Sequence, residues 1–273
     1  MEFRGIFDLE IVIPAYKAER TIGRTIDSLL AQKGIECRII VVVDGVLDGT
    51  ADVLGRYPSE RVTAVVETVN RGASRARNRG LELVEGEFVM FIDADDFVEG
   101  DFLKPLLERT RSAGADMGFA PLQILFEREG RRLPRFVPTW TSAPEVFRDW
   151  HAREHYVGTI GTLWRTGFVR GIGGWDPEIT RNDDGELAMR AILSGAKIAV
   201  SSSGQGVYVN HDSESLNQRT DNMDSMLRAN RKLLAIPSSV VSRAEQRQVC
   251  AEHYLNIACH AYLAGRDRRG RRC

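Results

Sequence analysis

The run Phe88-Val89-Met90-Phe91-Ile92-Asp93-Ala94-Asp95-Asp96 constrains the fold of this 273-residue chain more than any other segment. Five apolar residues lead straight into three carboxylates, the pattern of a buried strand whose carboxyl end opens into a site. In open α/β sheets, ligands gather outside the carboxyl ends of the strands. Three acids this close repel one another at neutral pH. A divalent cation or several strong donors would offset that repulsion, and Mg²⁺ or Mn²⁺ favours carboxylate oxygens. The plain alternative is a solvated acidic turn, since Asp is common in turns.

Around that run, strands and helices alternate. Leu9–Ile13 is a short apolar run ended by Pro14, and Ile22, Ile26, Leu29 and Leu30 predict a helix over 19–32. Cys37–Val43 is a near-continuous β-branched run, as in a parallel strand covered on both faces. A turn with Gly45 and Gly49 precedes a helix over 48–57; a strand over 61–67, a helix over 73–84 and a strand over 87–92 follow. Four alternations predict a parallel, Rossmann-like sheet. Later come one or two strands over 115–126, a hairpin tip at 127–131, a helix over 183–193 capped by Gly195, and strands over 197–201 and 206–210. The stretch 222–263 is helical, interrupted near Pro237. The expected layout is a catalytic domain over 1–216, with a nucleotide half near 1–100 and an acceptor half near 101–216, and a helical extension over 217–273.

At 43% hydrophobic and 27% charged, the chain has the composition of a soluble globular protein. A net charge of -1 gives no global attraction to nucleic acid or anionic membrane. No apolar run approaches the ~20 residues that span a bilayer, and the first residues lack a signal-peptide core. Cys37, Cys250, Cys259 and Cys273 show no CxxC spacing, so free thiols in a reducing cytoplasm are expected. Arg266–Arg272 places five arginines against one acid. It reads as a solvated tail, or as a polybasic segment resting on the inner face of a membrane at ~1 kcal/mol per basic residue.

Three strand ends carry chemistry. Tyr16, after Pro14-Ala15, can stack on a flat ring or plug the sheet edge. Asp44 accepts N–H bonds only, which suits the imide of uracil or the N–H pair of guanine. The third is the Asp93–Asp96 cluster. Of Arg71, Arg75, Arg77 and Arg79, at least two belong on the solvent face of their helix and one is placed to pair with Asp93 or a phosphate. No Gly-x-Gly-x-x-Gly follows the first strand, which argues against a dehydrogenase.

In order along the chain, Ile11-Val12-Ile13-Pro14-Ala15-Tyr16, Val43-Asp44-Gly45 with Asp48-Gly49-Thr50, Asn70-Arg71-Gly72 with Ala76-Arg77-Asn78, and Ile92-Asp93-Ala94-Asp95-Asp96 resemble the nucleotide-binding half of family 2 glycosyltransferases. The resemblance implies a GT-A fold, a Rossmann-type mixed α/β sheet with helices on both faces. It also implies transfer of a sugar from a nucleotide-sugar donor to an acceptor hydroxyl. Where the family has Asp-Asp-Gly-Ser, this chain has Val43-Asp44-Gly45-Val46, and Asp44 aligns with the base-contacting acid. Pro14, Ala15, Tyr16, Asp44, Asn70, Arg77, Asp93, Ala94 and Asp95 are thereby the expected nucleotide contacts. Asp93 or Asp95 would hold the ribose and metal, and Asp95 or Asp96 the Mn²⁺ or Mg²⁺.

The resemblance continues in the second half. Asp183-Asp184-Gly185-Glu186-Leu187-Ala188-Met189-Arg190 matches the family's Glu-Asp-x-x-Leu-x-x-Arg segment, with Asp183 in place of Glu, and implies Asp184 as catalytic base. Acids opening a helix also serve stability through the helix dipole. Trp164 and Trp175 lie in the region matching the acceptor side, where each ring stacks on a sugar or packs in the core. His211, before Asp212 and Ser215, resembles the late His-x-x-Ser region and could ligate the metal or donate to phosphate. The expected activity is an inverting, metal-dependent transfer from a UDP-sugar to a carbohydrate or glycoconjugate acceptor, in cell-surface polysaccharide synthesis. No Gln-x-x-Arg-Trp segment occurs, so single rather than processive transfers are expected. The rival readings are a haloacid-dehalogenase-type phosphatase with Asp93 as nucleophile, and a nucleotide-sugar binding protein without catalysis.

Overall fold

The computed structural model describes residues 7–45, 48–149, 158–211 and 223–270. Eleven strands occur among them: β1 (Leu9–Ala15), β2 (Cys37–Asp44), β3 (Val62–Glu67), β4 (Phe88–Phe91), β5 (Phe97–Glu99), β6 (Met117–Phe119), β7 (Leu122–Phe126), β8 (Arg131–Arg132), β9 (Thr162–Arg165), β10 (Ile198–Val200) and β11 (Gln205–Asn210). The helices are α1 (Ile22–Leu30), α2 (Thr50–Leu54), α3 (Ala73–Leu83), α4 (Leu103–Ser112), α5 (Ala143–Asp149), α6 (Thr166–Gly171), α7 (Asp183–Leu193), α8 (Met223–Ala235) and α9 (Arg243–Gly270).

Seven strands form one sheet in the order β10-β6-β9-β4-β1-β2-β3. Leu9 to Ala15 run parallel beside Cys37 to Val43, and Val12 stands opposite Phe91 of β4. This register brings the carboxyl ends of β1, β2 and β4 to one edge, with Asp44 ending β2 and Tyr16 and Asp93 just beyond β1 and β4. The sheet is not wholly parallel: β9 runs antiparallel between β4 and β6. A smaller sheet, β5-β11-β7-β8, stands beside the acidic cluster.

Period-two alternation gives the large sheet two buried faces. Leu9, Ile11 and Ile13 join Ile39 and Val41 against Ile22, Ile26 and Leu29 of α1 and Leu103 and Leu106 of α4. Val12, Ile40 and Val42 face the opposite way, onto a core with Leu81 of α3, Leu187 and Ile192 of α7, Leu233 of α8 and Val249 of α9. The result is a three-layer α/β/α arrangement. Helix α3 lies so close to β1 that a Cβ at Gly80 would stand 2.3 Å from Val12 Cγ1, so even alanine there would force the layers apart. The expected boundary near 216 and the segment Gln218-Arg219-Thr220 lie outside the described residues. So do Asp212 and Ser215, Val46, and Arg271 and Arg272 of the tail. Among the described residues, no helix is long and apolar enough to cross a membrane.

Candidate active site

A cavity of about 630 Å³ opens at the carboxyl edge of β1, β2 and β4. All nine residues expected to contact the nucleotide line it. Beyond β1 the chain turns through Lys17 at φ 53°, an uncommon conformation for a side-chain-bearing residue, and Tyr16 is left 47% exposed. Asp44 is buried, and its two carboxylate oxygens accept the backbone N–H groups of Arg71 (2.8 Å) and Gly72 (2.7 Å). It thus fixes the loop that leads into α3. An ionised carboxylate has about four lone-pair sites, so these two bonds leave capacity for a ligand N–H.

The three acids of the cluster have separate fates. Asp93 is paired with Arg77 at 2.5 Å. Asp95 Oδ2 lies 3.0 Å from His211 Nε2, and partial burial together with the Asp93 charge pushes its carboxyl upward. Asp96 was expected beside Asp95 as a metal ligand, but it is 1% exposed and does not line either large cavity. Its Oδ1 accepts the Val209 N–H at 2.9 Å, tying the cluster to β11. Burial, with the charges of Asp95 and Asp93, pushes the Asp96 carboxyl well up. Asp96 is therefore a joint between the two sheets rather than a ligand group facing solvent.

A second cavity of about 830 Å³ shares Tyr16, Arg77, Asp93 and Asp95 with the first and continues to Asp183, Asp184 and His211. The two acids open α7, where the helix dipole stabilises negative charge. Asp183 Oδ2 accepts from Ser74 Oγ (3.0 Å) and Arg77 Nη1 (2.8 Å). Asp184 Oδ1 accepts the Gly185 N–H at 2.8 Å, and the residue stands on the cavity wall. The preceding Asn182 is left-handed, at φ 58°, and the loop before it is held from α8: Ser225 Oγ accepts the N–H groups of Thr180 (2.8 Å) and Arg181 (3.2 Å). Further along α7, Glu186 is wholly buried and forks onto Arg190, whose other donors reach the carbonyls of Ile172 and Gly174. Arg190 thus anchors the glycine-rich loop to the helix that carries the acids.

The expectation that Trp164 and Trp175 stack on a sugar is not met. They are 3% and 2% exposed, inside the core on the α3 and α7 side. Trp164 lies within the sheet, and Trp175 is covered by an edge contact with Phe91 and by the Arg77 guanidinium, 4.3 Å from its ring centre. Other wall residues carry no sequence signal of their own. Met226 and His253 come from α8 and α9, and burial pushes the His253 imidazole down to about 4, so it stands neutral. Glu127 at the hairpin tip meets His211 Nδ1 at 2.7 Å. Among the described residues, no three His, Cys, Asp or Glu side chains converge as a self-sufficient metal site.

The comparisons agree with this geometry. A family model described as glycosyl transferase family 2 matches residues 10–165. The succinoglycan biosynthesis protein ExoO of Rhizobium meliloti (strain 1021) is 29% identical over 240 residues, covering 83% of this chain and 68% of that protein. Three other curated relatives are matched over only 18%, 42% and 52% of their own lengths. The solved structure of S. aureus TarS 1-349 in complex with UDP-GlcNAc superposes with a TM-score of 0.70 at 20% identity, covering 90% of this chain and 71% of that one. The mannosyltransferase PcManGT from Pyrobaculum calidifontis, in complex with GDP-Man and Mn²⁺, gives 0.65 at 17% identity, covering 97% and 76%. The chain belongs to glycosyltransferase family 2 and is a glycosyltransferase built on the GT-A fold.

Proposed function

We propose that the protein transfers a sugar from a UDP-linked donor to an acceptor hydroxyl with inversion, and that a Mn²⁺ or Mg²⁺ ion assists. The observation that carries this reading is the junction of the two cavities. One is lined by the nucleotide-contacting set, the other reaches Asp184, and Asp93 and Asp95 border both. An acceptor hydroxyl is a weak nucleophile until a carboxylate takes its proton, the role assigned to Asp184. Displacement in one step by the activated hydroxyl inverts the anomeric centre. Asp44 and Tyr16 would receive the base, and the TarS complex with UDP-GlcNAc favours uracil over guanine as its identity. ExoO, by its name, acts in succinoglycan biosynthesis, which supports a role in making a cell-surface polysaccharide. Membership of this family sets aside the phosphatase and the non-catalytic readings.

The residues present fit a metal bound together with a diphosphate. Two ligands at right angles on an octahedral ion with bonds of ~2.1 Å stand ~3.0 Å apart. Asp95 Oδ2 and His211 Nε2 are separated by 3.0 Å. Mg²⁺-type ions use one or two protein ligands with substrate phosphates, so the lack of a three-residue cluster among the described residues is compatible. When bound, the ion would neutralise charge developing on the leaving diphosphate. UDP titrated by calorimetry should bind markedly more tightly with Mn²⁺ than with EDTA. Equal affinities would mean that arginines alone hold the diphosphate, and tighter binding of GDP would reassign the base.

Ser225 offers a second check, on the acid-bearing loop. Ser225→Ala leaves the Thr180 and Arg181 N–H groups without that acceptor, at a cost of about 1–2 kcal/mol. Transfer should fall severalfold while UDP affinity holds, and Ser225→Thr should restore it. Unchanged kinetics would show that α8 does not hold the loop in its working position.

A further inference from the structure

We infer that Glu127 and Arg24, paired with each other beside the acidic cluster, are positioning residues that aim His211 at the metal. This inference rests on the metal-assisted reading above. Four contacts close a ring. His211 Nε2 faces Asp95 Oδ2 at 3.0 Å, and His211 Nδ1 meets Glu127 Oε2 at 2.7 Å. The other oxygen of Glu127 accepts from Arg24 Nη1 at 2.8 Å, and Arg24 Nη2 donates to the Asp95 carbonyl at 3.0 Å. The guanidinium is further fixed 4.9 Å over the Phe97 ring.

The ring sets the chemistry of the imidazole. One oxygen of Glu127 is taken up by the Arg24 guanidinium, which leaves the other to meet His211 Nδ1. An ionised carboxylate only accepts, so the Nδ1 that meets it must be the donor. The other ring nitrogen, Nε2, faces Asp95 Oδ2 at 3.0 Å. A divalent cation bound there would displace the proton between them and take both atoms as ligands. A carboxylate behind a ligating imidazole fixes its tautomer and raises its basicity. The hairpin of the smaller sheet, from which Glu127 projects, is thereby part of the donor site. Arg24 comes from α1 and bonds the Asp95 backbone, so the same side chains set the positions of both expected ligands.

The test is a Mn²⁺ titration of the UDP-saturated full chain, read by the electron paramagnetic resonance of free Mn²⁺. The variants are Glu127→Gln, His211→Ala and their combination. Glu127→Gln is expected to weaken Mn²⁺ binding about 10–100-fold, with metal-free UDP affinity and the thermal midpoint unchanged. His211→Ala should weaken it at least as much, and Glu127→Gln should add nothing in the His211→Ala background. Nitrogen NMR of the wild type should show the Nδ1–H tautomer, and Glu127→Gln should shift the ring away from it. Undiminished Mn²⁺ affinity in Glu127→Gln would overturn the inference, as would an equal further loss in the His211→Ala background. If wild-type UDP binding is indifferent to Mn²⁺, the metal reading itself fails and takes this one with it. If wild-type UDP binding responds to Mn²⁺ and Glu127→Gln behaves as wild type, only the positioning role is lost.

Discussion

Asp184→Asn is expected to lower sugar transfer about 10²–10⁴-fold, the usual contribution of a general base. UDP affinity should hold, because Asp184 does not line the nucleotide cavity. Losing one charge from the first turn of α7 costs only about 0.3–1 kcal/mol, so the thermal midpoint should move by a few degrees at most. The neighbouring acid separates catalysis from structure. Asp183 Oδ2 is already bonded to Ser74 and Arg77, so a proton delivered there would compete with two donors. Asp183→Asn should therefore have the smaller effect on turnover and the larger one on melting. Steady-state transfer and calorimetric melting of both variants, with UDP titrations as control, decide the matter. A dead Asp183→Asn beside an active Asp184→Asn would move the base by one residue. Full activity in both would assign the proton to another acceptor.

The first hundred residues were legible because their signals are local and repeated. A β-branched run reads as a strand whatever surrounds it, and the run at Cys37–Val43 forms β2 (Cys37–Asp44). Each expected nucleotide contact lies at or just after the end of a strand, or on the segment that leads into and through α3, so the strand pattern also places these side chains at one edge. What the sequence concealed depends on contacts distant along the chain. Strand β9 has only four residues, and nothing in Thr162–Arg165 announces that it pairs antiparallel with two partners. Burial of Trp164 and Trp175 follows from that pairing and from Phe91 and Arg77, so a tryptophan beside a glycine-rich loop read equally well as a sugar platform. Asp96 looked like its two neighbours until the second sheet supplied the Val209 N–H that turns it inward. Glu127 sat in a charged run that resembled any hairpin tip, and its meeting with His211 spans 84 residues. The helix α4 was there to be read: Leu103, Leu106, Leu107 and Thr110 keep helical spacing.

Arg77 is where the fold and the site meet, and its loss should be the most damaging to stability. Its guanidinium is buried over the Trp175 ring and bonds Asp93 at 2.5 Å and Asp183 at 2.8 Å, joining the strand end to the start of α7. The two carboxylates hold it firmly protonated, against the effect of burial. Arg77→Met keeps much of the volume but leaves two acids facing each other without a cation. Removing one partner of a buried pair costs about 3–5 kcal/mol. Asp93 and Asp183 keep 33% and 20% of their side-chain surface, so water screens them and the lower end is the better expectation. At ~2–4 °C per kcal/mol for domains of 150–250 residues, the thermal midpoint should fall by roughly 6–10 °C. Arg77→Lys should recover only part of this, because one ammonium cannot reproduce the planar fork that spans both acids. Transfer should be lost in Arg77→Met even well below its melting temperature, since Asp93 and Asp183 would separate under their own repulsion. A melting temperature within 2 °C of wild type would show that the two acids find other partners, and the bridge through Arg77 would then be incidental.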